Sequence, residues 1–234
     1  MRKFDYSFLK RISVPADIMN YATSIYEMKA KAELRRSDFA EVFLAMESVA
    51  KIQSVKSSNA IERIITTDKR IRDIVNKSTA PQGHNELEIA GYRDALDLIH
   101  GSYSEIPFSE KSILELHRIL LQPSGDDLAG RYKTEDNFII ETDREGVRSV
   151  RFTTVPASET AFAMEQLILA YHAAYLEAEI NPLMLITCVI LDLLCIHPFR
   201  NVNGRMSRLL SLLLMYKSGF NAGKYVSIEE QINT

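Results

Sequence analysis

I-H-P-F-R-N-V-N-G-R-M-S-R, residues 196–208, lies between two apolar runs, Leu183 to Cys195 and Leu209 to Met215, which makes it a loop joining two buried helices. Pro198 disfavours a helical conformation at His197 and so ends the first helix. Asn203 is expected to cap the second, and Gly204 leaves its backbone open to close approach. A helix start is an anion site, and Arg205 and Arg208 set two cations within its first turn. Cations at the positive end of a helix dipole oppose helix stability. A bound polyphosphate, whose oxygens match guanidinium forks, accounts for the arrangement. His197 then stands beside the phosphates with a side chain that takes up a proton near neutral pH. A structural turn would explain any one of these residues, but not their joint spacing.

The chain has 234 residues, 46% hydrophobic and 25% charged, with a formal net charge of -3. These values describe an ordinary folded chain, one large domain or a domain with a subdomain, and do not indicate a nucleic-acid binder. The N-terminus carries early positive charge but no apolar stretch of signal-peptide type. The longest apolar run, Leu183 to Ile196, is shorter than a bilayer requires and contains Asp192. A cytoplasmic protein without a membrane partner is expected. Cys188 and Cys195, seven apart on one helix face, have neither metal-ligand spacing nor a disulfide context, so they are expected to be buried thiols.

Residues 1–80 read as helical. Ala16 to about Arg35 carries a 3.6-residue stripe through Ile18, Met19, Ala22, Ile25, Tyr26 and Met28, and Asp38 to Val55 a second through Phe39, Val42, Phe43, Met46 and Val49. Both stripes are expected to pack into the core, with Ser37 or Asp38 capping the second helix. Pro81 and Gly83 mark a boundary at Ser78 to Gly83. Helices follow from Glu86 and over Ser109 to Leu121. Asn137 to Glu141 and Val147 to Phe152 flank a polar turn and predict a β-hairpin. Pro156 to Glu179 predicts an amphipathic helix with Phe162, Met164, Leu167, Ile168 and Tyr171 on its apolar side, and Asn181–Pro182 opens the next. The helix after residue 208 ends by Gly219, and Ser227 with Glu230 caps a last one. The chain stops inside it, so a longer native protein is expected. His84, His100, His117 and His172 are scattered without ligand spacing.

The loop resembles the signature of Fic proteins, His-x-Phe-x-Asp/Glu-Gly/Ala-Asn-Gly/Lys-Arg with a further Arg three residues on, agreeing at His197, Phe199, Asn203, Gly204, Arg205 and Arg208. Asn201 stands where the family has an acid and Val202 where it has Gly or Ala. The likeness spans about Glu86 to Gly219 and, more loosely, Ser58 to Glu62. It implies an all-α helical bundle with a small β-hairpin flap, divided into an N-terminal helical region (1–82), a Fic core (83–220) and the start of a C-terminal segment (221–234). It further implies a protein adenylyltransferase that moves AMP from ATP, with Mg2+, to a Ser, Thr or Tyr hydroxyl of a target protein, itself included; homo-oligomerisation is left open.

In that reading His197 is the base, and Asn203, Gly204, Arg205 and Arg208 hold the phosphates. Asn201 inherits the metal position without its charge. Ser58 and Glu62 resemble the family's inhibitory Ser/Thr-x-x-x-Glu-Gly/Asn, with Arg63 in place of Gly or Asn and Arg208 as the partner of Glu62. Asn137, Phe138, Ile139 and Ile140 belong to the flap that pairs with an extended target segment. Gly130, Tyr132 and Lys133 resemble the Gly-x-Tyr-Arg ahead of it, with Lys for Arg. The alternative is a degenerate Fic protein that binds nucleotide or a partner with little transfer, because Asn201 weakens the metal site.

Overall fold

The structure, a computed structural model, describes residues 4–143, 145–177 and 179–233. The outer ends of the expected terminal segments, residues 1–3 and 234, lie outside the described residues, as does position 178 within the helix expected to reach Glu179. The described residues form helices α1 (Ala16–Arg35), α2 (Ala40–Ile61), α3 (Asp68–Val75), α4 (Gly83–Ser102) and α5 (Glu110–Leu121), then strands β1 (Phe138–Thr142) and β2 (Arg148–Thr153). Helices α6 (Ala157–Tyr175), α7 (Pro182–Ile196), α8 (Asn203–Lys217) and α9 (Ile228–Ile232) complete the chain. None of the described helices is long and apolar enough to cross a membrane.

Helices α4 to α8 enclose the core. On α7, Leu185, Val189, Leu193 and Ile196 face inward at helical spacing, and α8 opposes them with Met206, Leu209, Leu210 and Leu213, all at most 3% exposed. Helix starts obey local chemistry: the side chains of Ser109, Asn181 and Ser227 accept from the backbone N–H of Ser112, Leu183 and Glu230. Helix α4 lies so close to α5 that a Cβ on Gly91 would sit 1.9 Å from the Leu120 carbonyl oxygen. Only a residue without a Cβ fits at that approach, and on the same helix Tyr92 and Leu96 are fully buried. The C-terminal α9 packs on α2, and its Glu229, 2% exposed, accepts a hydrogen bond from the buried Tyr92 hydroxyl at 3.1 Å.

Several expectations are corrected. Helix α1 buries no residue: Ile18, Met19, Tyr26 and Met28 are 40–59% exposed, and on the first half of α2 so are Phe39, Val42 and Val49. Periodicity shows which face is apolar, not whether another element covers it. Tyr26 of α1 meets Phe220 (5.1 Å between ring centroids), and Phe43 in the first half of α2 meets Tyr225 (4.8 Å). A cavity of about 310 Å³ remains between the two helices and the end of α8. Neither Ser37 nor Asp38 caps α2, because Phe39 occupies the cap position and Ser37 bonds Asp38 instead. Phe162 is 47% exposed. Cys188 and Cys195 are half-buried rather than buried.

Strands β1 and β2 pair antiparallel, from Phe138 opposite Thr153 to Thr142 opposite Arg148, with an irregularity between Ile139 and Ile140. No described strand residue is buried. The hairpin therefore stands away from the core.

The α4–α5 approach yields a stability test. Gly91→Ala forces the helices apart and should cost about 3 kcal/mol in urea unfolding. Gly101→Ala, on the same helix with no atom within 4 Å of its Cβ, should be neutral or stabilise by about 1 kcal/mol. Equal stability of the two variants would contradict the close packing.

Candidate active site

The sequence H-P-F makes the loop turn sharply. Pro198 excludes the right-handed helical region for the residue before it, and His197 adopts φ 53°, ψ 61°, the left-handed region, as the C-cap of α7. Its N–H still closes on Leu193 at 2.9 Å. Phe199 then drops into the core, fully buried, and stacks on the His117 ring at 3.8 Å with planes 9° apart. His117 is itself pushed down to about 4 by burial, and its Nδ1 accepts the Gly130 N–H at 3.0 Å. It is thus a neutral packing partner.

Asn203 does not cap α8. The cap position falls on Val202, in the left-handed region at φ 62°, and Asn203 is the first helical residue. Its amide clamps Phe199 instead: Oδ1 accepts from the Phe199 N–H at 3.0 Å and Nδ2 donates to the Phe199 carbonyl at 2.7 Å. The left-handed φ at Val202 suits the Gly that the signature allows there, and a β-branched residue in it costs about 1–3 kcal/mol.

The two motif arginines face different neighbours. Arg208 donates through Nε to the Ser58 hydroxyl (2.8 Å), and through Nη2 to the Ser58 carbonyl (2.9 Å) and the Glu62 carboxylate (2.8 Å). Arg205 is 4% exposed and turns beneath the helix, with Nη2 on Glu88 at 2.5 Å and Nη1 on the Asn59 oxygen at 3.4 Å. Glu88 also meets His84 at 2.6 Å. Gly204 lies between these groups, where a Cβ would come within 2.4 Å of the Glu62 carboxylate.

Glu62 is the C-cap of α2. The next turn is a Schellman arrangement, in which the Arg63 N–H bonds the Ala60 carbonyl at 2.8 Å and the Ile64 N–H bonds the Asn59 carbonyl at 3.0 Å. Arg63 holds the left-handed position at φ 61°, which explains why Gly or Asn suits it. Arginine keeps the same turn at a modest strain cost, and Glu62 still reaches Arg208.

His197 is half-buried. Desolvation lowers its pKa, the Leu194 carbonyl (3.4 Å from Nδ1) opposes that, and the Lys133 charge adds to it. A neutral imidazole with its Nδ1–H toward Leu194 leaves Nε2 as the proton acceptor. Asn201 is exposed and uncharged. Among the described residues no group of three or more His, Cys, Asp or Glu side chains could hold a metal ion. The donor set here fits a cation carried in on phosphate oxygens, with the Asn201 amide oxygen as one further ligand.

The hairpin residues divide. Phe138 and Ile140 are 51% and 55% exposed. Asn137 lies below the strands and donates to the Phe199 carbonyl at 3.0 Å. Sequence reasoning missed the grip of Glu88 and Asn59 on Arg205, the His117 stack and the anchoring of Lys133. Only Lys133 carried a signal, as the cation of the G-R-Y-K run; the other pairings join positions more than 80 residues apart.

Comparison with known proteins places this geometry. Residues 107–215 match the family model described as Fic/DOC family. The protein adenylyltransferase Fic of Nematostella vectensis is 28% identical over 181 residues, which cover 73% of this chain and 39% of that relative, so the chain spans well under half of its length. A crystal structure of a Fic family protein from Desulfovibrio desulfuricans matches with a TM-score of 0.77 at 19% identity, over 95% of this chain and 64% of that one. A Fic domain-containing signaling protein from Bacteroides thetaiotaomicron gives 0.71 at 22% identity, over 83% of this chain and 73% of that one. At such identities the two structures speak for the fold, and the chain has the Fic fold, with a match to the Fic/DOC family model over residues 107–215 of it.

Proposed function

We propose that the chain is a protein adenylyltransferase of the Fic type, restrained by Glu62. The observation that carries this reading is the meeting of three groups at one loop: a half-buried, neutral His197, the start of α8, and Arg208. His197 takes the proton of a target hydroxyl through Nε2. The hydroxyl oxygen then bonds to the α-phosphorus of ATP while the bond to the β-phosphate oxygen breaks, and pyrophosphate leaves. The N–H groups at the start of α8 and Arg208 bear the phosphate charge. Arg205, tied to Glu88, braces the start of α8 and reaches phosphate only by exchanging that partner. Mg2+ neutralises charge on the phosphates when bound, with Asn201 beside it. The exposed edges of β1 and β2 suit pairing with an extended target segment.

Intact-mass spectrometry of the protein incubated with ATP and Mg2+ tests the assignment, through addition of AMP to itself or to an added protein. His197→Ala should lower transfer by about 10²- to 10⁴-fold with nucleotide affinity retained. In the parent the rate should rise with pH through an apparent pKa below the ordinary imidazole value, because desolvation keeps His197 neutral, and level off above it. A folded His197→Ala protein that still transfers AMP would remove the mechanism.

The Glu62–Arg208 pair supports restraint of the site, because the cation that would hold phosphate is already engaged by a carboxylate. The side chains of Arg208 and Glu62 are 14% and 36% exposed, between the enclosed and the exposed case. Releasing the pair is then worth about 1–2 kcal/mol, or roughly five- to thirtyfold. Glu62→Gly should raise self-modification about tenfold, and adding Arg208→Ala should cancel the gain. Equal rates for the parent and Glu62→Gly would show that the pair restrains nothing.

A second reading, binding with little transfer, is favoured by the neutral Asn201 and by the engagement of Arg205 with Glu88. Nucleotide binding without any mass shift, in the parent and in Glu62→Gly, would select it. Under the transferase reading Asn201→Asp restores a carboxylate, and charge-assisted contacts are about twice as strong as neutral ones. The Mg2+ needed for half-maximal transfer should fall severalfold; superimposable Mg2+ titrations would show that this position does not govern the metal.

A further inference from the structure

Lys133 lies between α5 and β1 and is 4% exposed. Its Nζ donates to the Asn137 side-chain oxygen at 2.8 Å, to the Thr154 hydroxyl at 2.9 Å and to the Ile196 carbonyl at 3.2 Å. An ammonium has three donors, and here it meets three acceptors. The Lys133 backbone N–H also donates to the Pro198 carbonyl at 2.9 Å.

These partners belong to two structures. Asn137 immediately precedes β1 and Thr154 immediately follows β2, so together they form the neck of the hairpin. The Thr154 hydroxyl is within 2.7 Å of both the Asn137 carbonyl and its side-chain oxygen. Ile196 and Pro198 flank His197, and the Phe199 carbonyl is held by Asn137 at 3.0 Å. The carbonyls before and after His197 are thus gripped by Lys133 or by the residue it grips. Since no described strand residue is buried, the neck, rather than packing, holds the hairpin in place, and a two-stranded hairpin alone is marginal.

The geometry points to Lys133 as a positioning residue that couples the hairpin to His197, fixing the neck of the hairpin and the backbone that carries the base relative to each other. Burial draws the Lys133 ammonium down to about 8, with the Asp136 charge pulling the other way. A cation is tolerated there because every donor is used. For catalysis the inference rests on the adenylyl-transfer reading, in which the hairpin presents the target chain and His197 takes its proton.

Hydrogen exchange of the hairpin amides, read by mass spectrometry, tests the coupling independently of activity. Lys133→Met keeps the stem and removes the donors. It should raise exchange over residues 138–153 by about tenfold or more, leave α4 and α8 as in the parent, and lower kcat for AMP transfer while KM for ATP stays within about twofold. Lys133→Arg keeps a multidentate cation and should return exchange to within about threefold of the parent. Should Lys133→Met fail to fold, Thr154→Val deletes one of the three acceptors and should raise hairpin exchange by about threefold. Hairpin exchange equal to the parent's in every folded variant would overturn the coupling. If the parent transfers no AMP, the adenylyl-transfer reading fails, and the exchange result still decides whether Lys133 anchors the hairpin.

Discussion

The clamp of Asn203 on Phe199 is the constraint around which the site is built. Two apolar helices, α7 and α8, must reverse direction inside the core while leaving His197 and the first turn of α8 accessible. Burying Phe199 fixes the depth of the loop, and one amide satisfies both of its backbone polar groups, which would otherwise be costly to bury. With Phe199 fixed, His197 is left at a left-handed corner on one side and Val202 at another. Both conformations are unfavourable alone, and they persist because the clamp and the His117 stack determine the path between them.

Much of this was readable from residue order where the controlling chemistry is local. Pro198 ends α7, Asn181 and Ser227 cap their helices, and the runs Asn137 to Glu141 and Val147 to Phe152 on either side of a polar turn give the hairpin. The contact of Glu62 with Arg208, expected from the inhibitory spacing, is present across 146 residues of chain. The rest depended on tertiary choices. Asn203 had two uses for its amide, capping or clamping, and the buried Phe199 backbone decided between them. Arg205 looked like a cation for phosphate because nothing in the order of residues announces Glu88 and Asn59 beside it. The stripes on α1 and on the first half of α2 resemble core faces in the sequence, because a stripe shows where apolar side chains point, not what lies opposite.

Helix α2 joins these two kinds of information. Its first half is an exposed apolar face, and its last turns are among the most buried polar stretches in the chain, with Ser54, Ser57, Ser58 and Asn59 at most 5% exposed. Burying so many polar residues is favourable only where partners await them. Arg205 and Arg208 supply partners for Asn59 and Ser58, while Asn59 also donates to the Val55 carbonyl of its own helix. The arginines and the end of α2 are therefore partners of one another, with Ser54 Oγ and Arg205 Nε the atoms of this cluster that find no hydrogen-bond partner among the described residues.

That mutual dependence bears on what counts as a separable unit. The stretch matched by the family, residues 107–215, begins after α2 and α4. Excised at those limits, it would keep both guanidinium groups and lose Ser58, Asn59, Glu62 and Glu88, exposing two adjacent uncompensated cations on a surface that has also lost its α4 wall. Such a fragment would bare a local pair of guanidinium groups on a stretch whose acidic residues outnumber its basic ones, and any phosphate it held there would say little about the nucleotide chemistry of the intact chain.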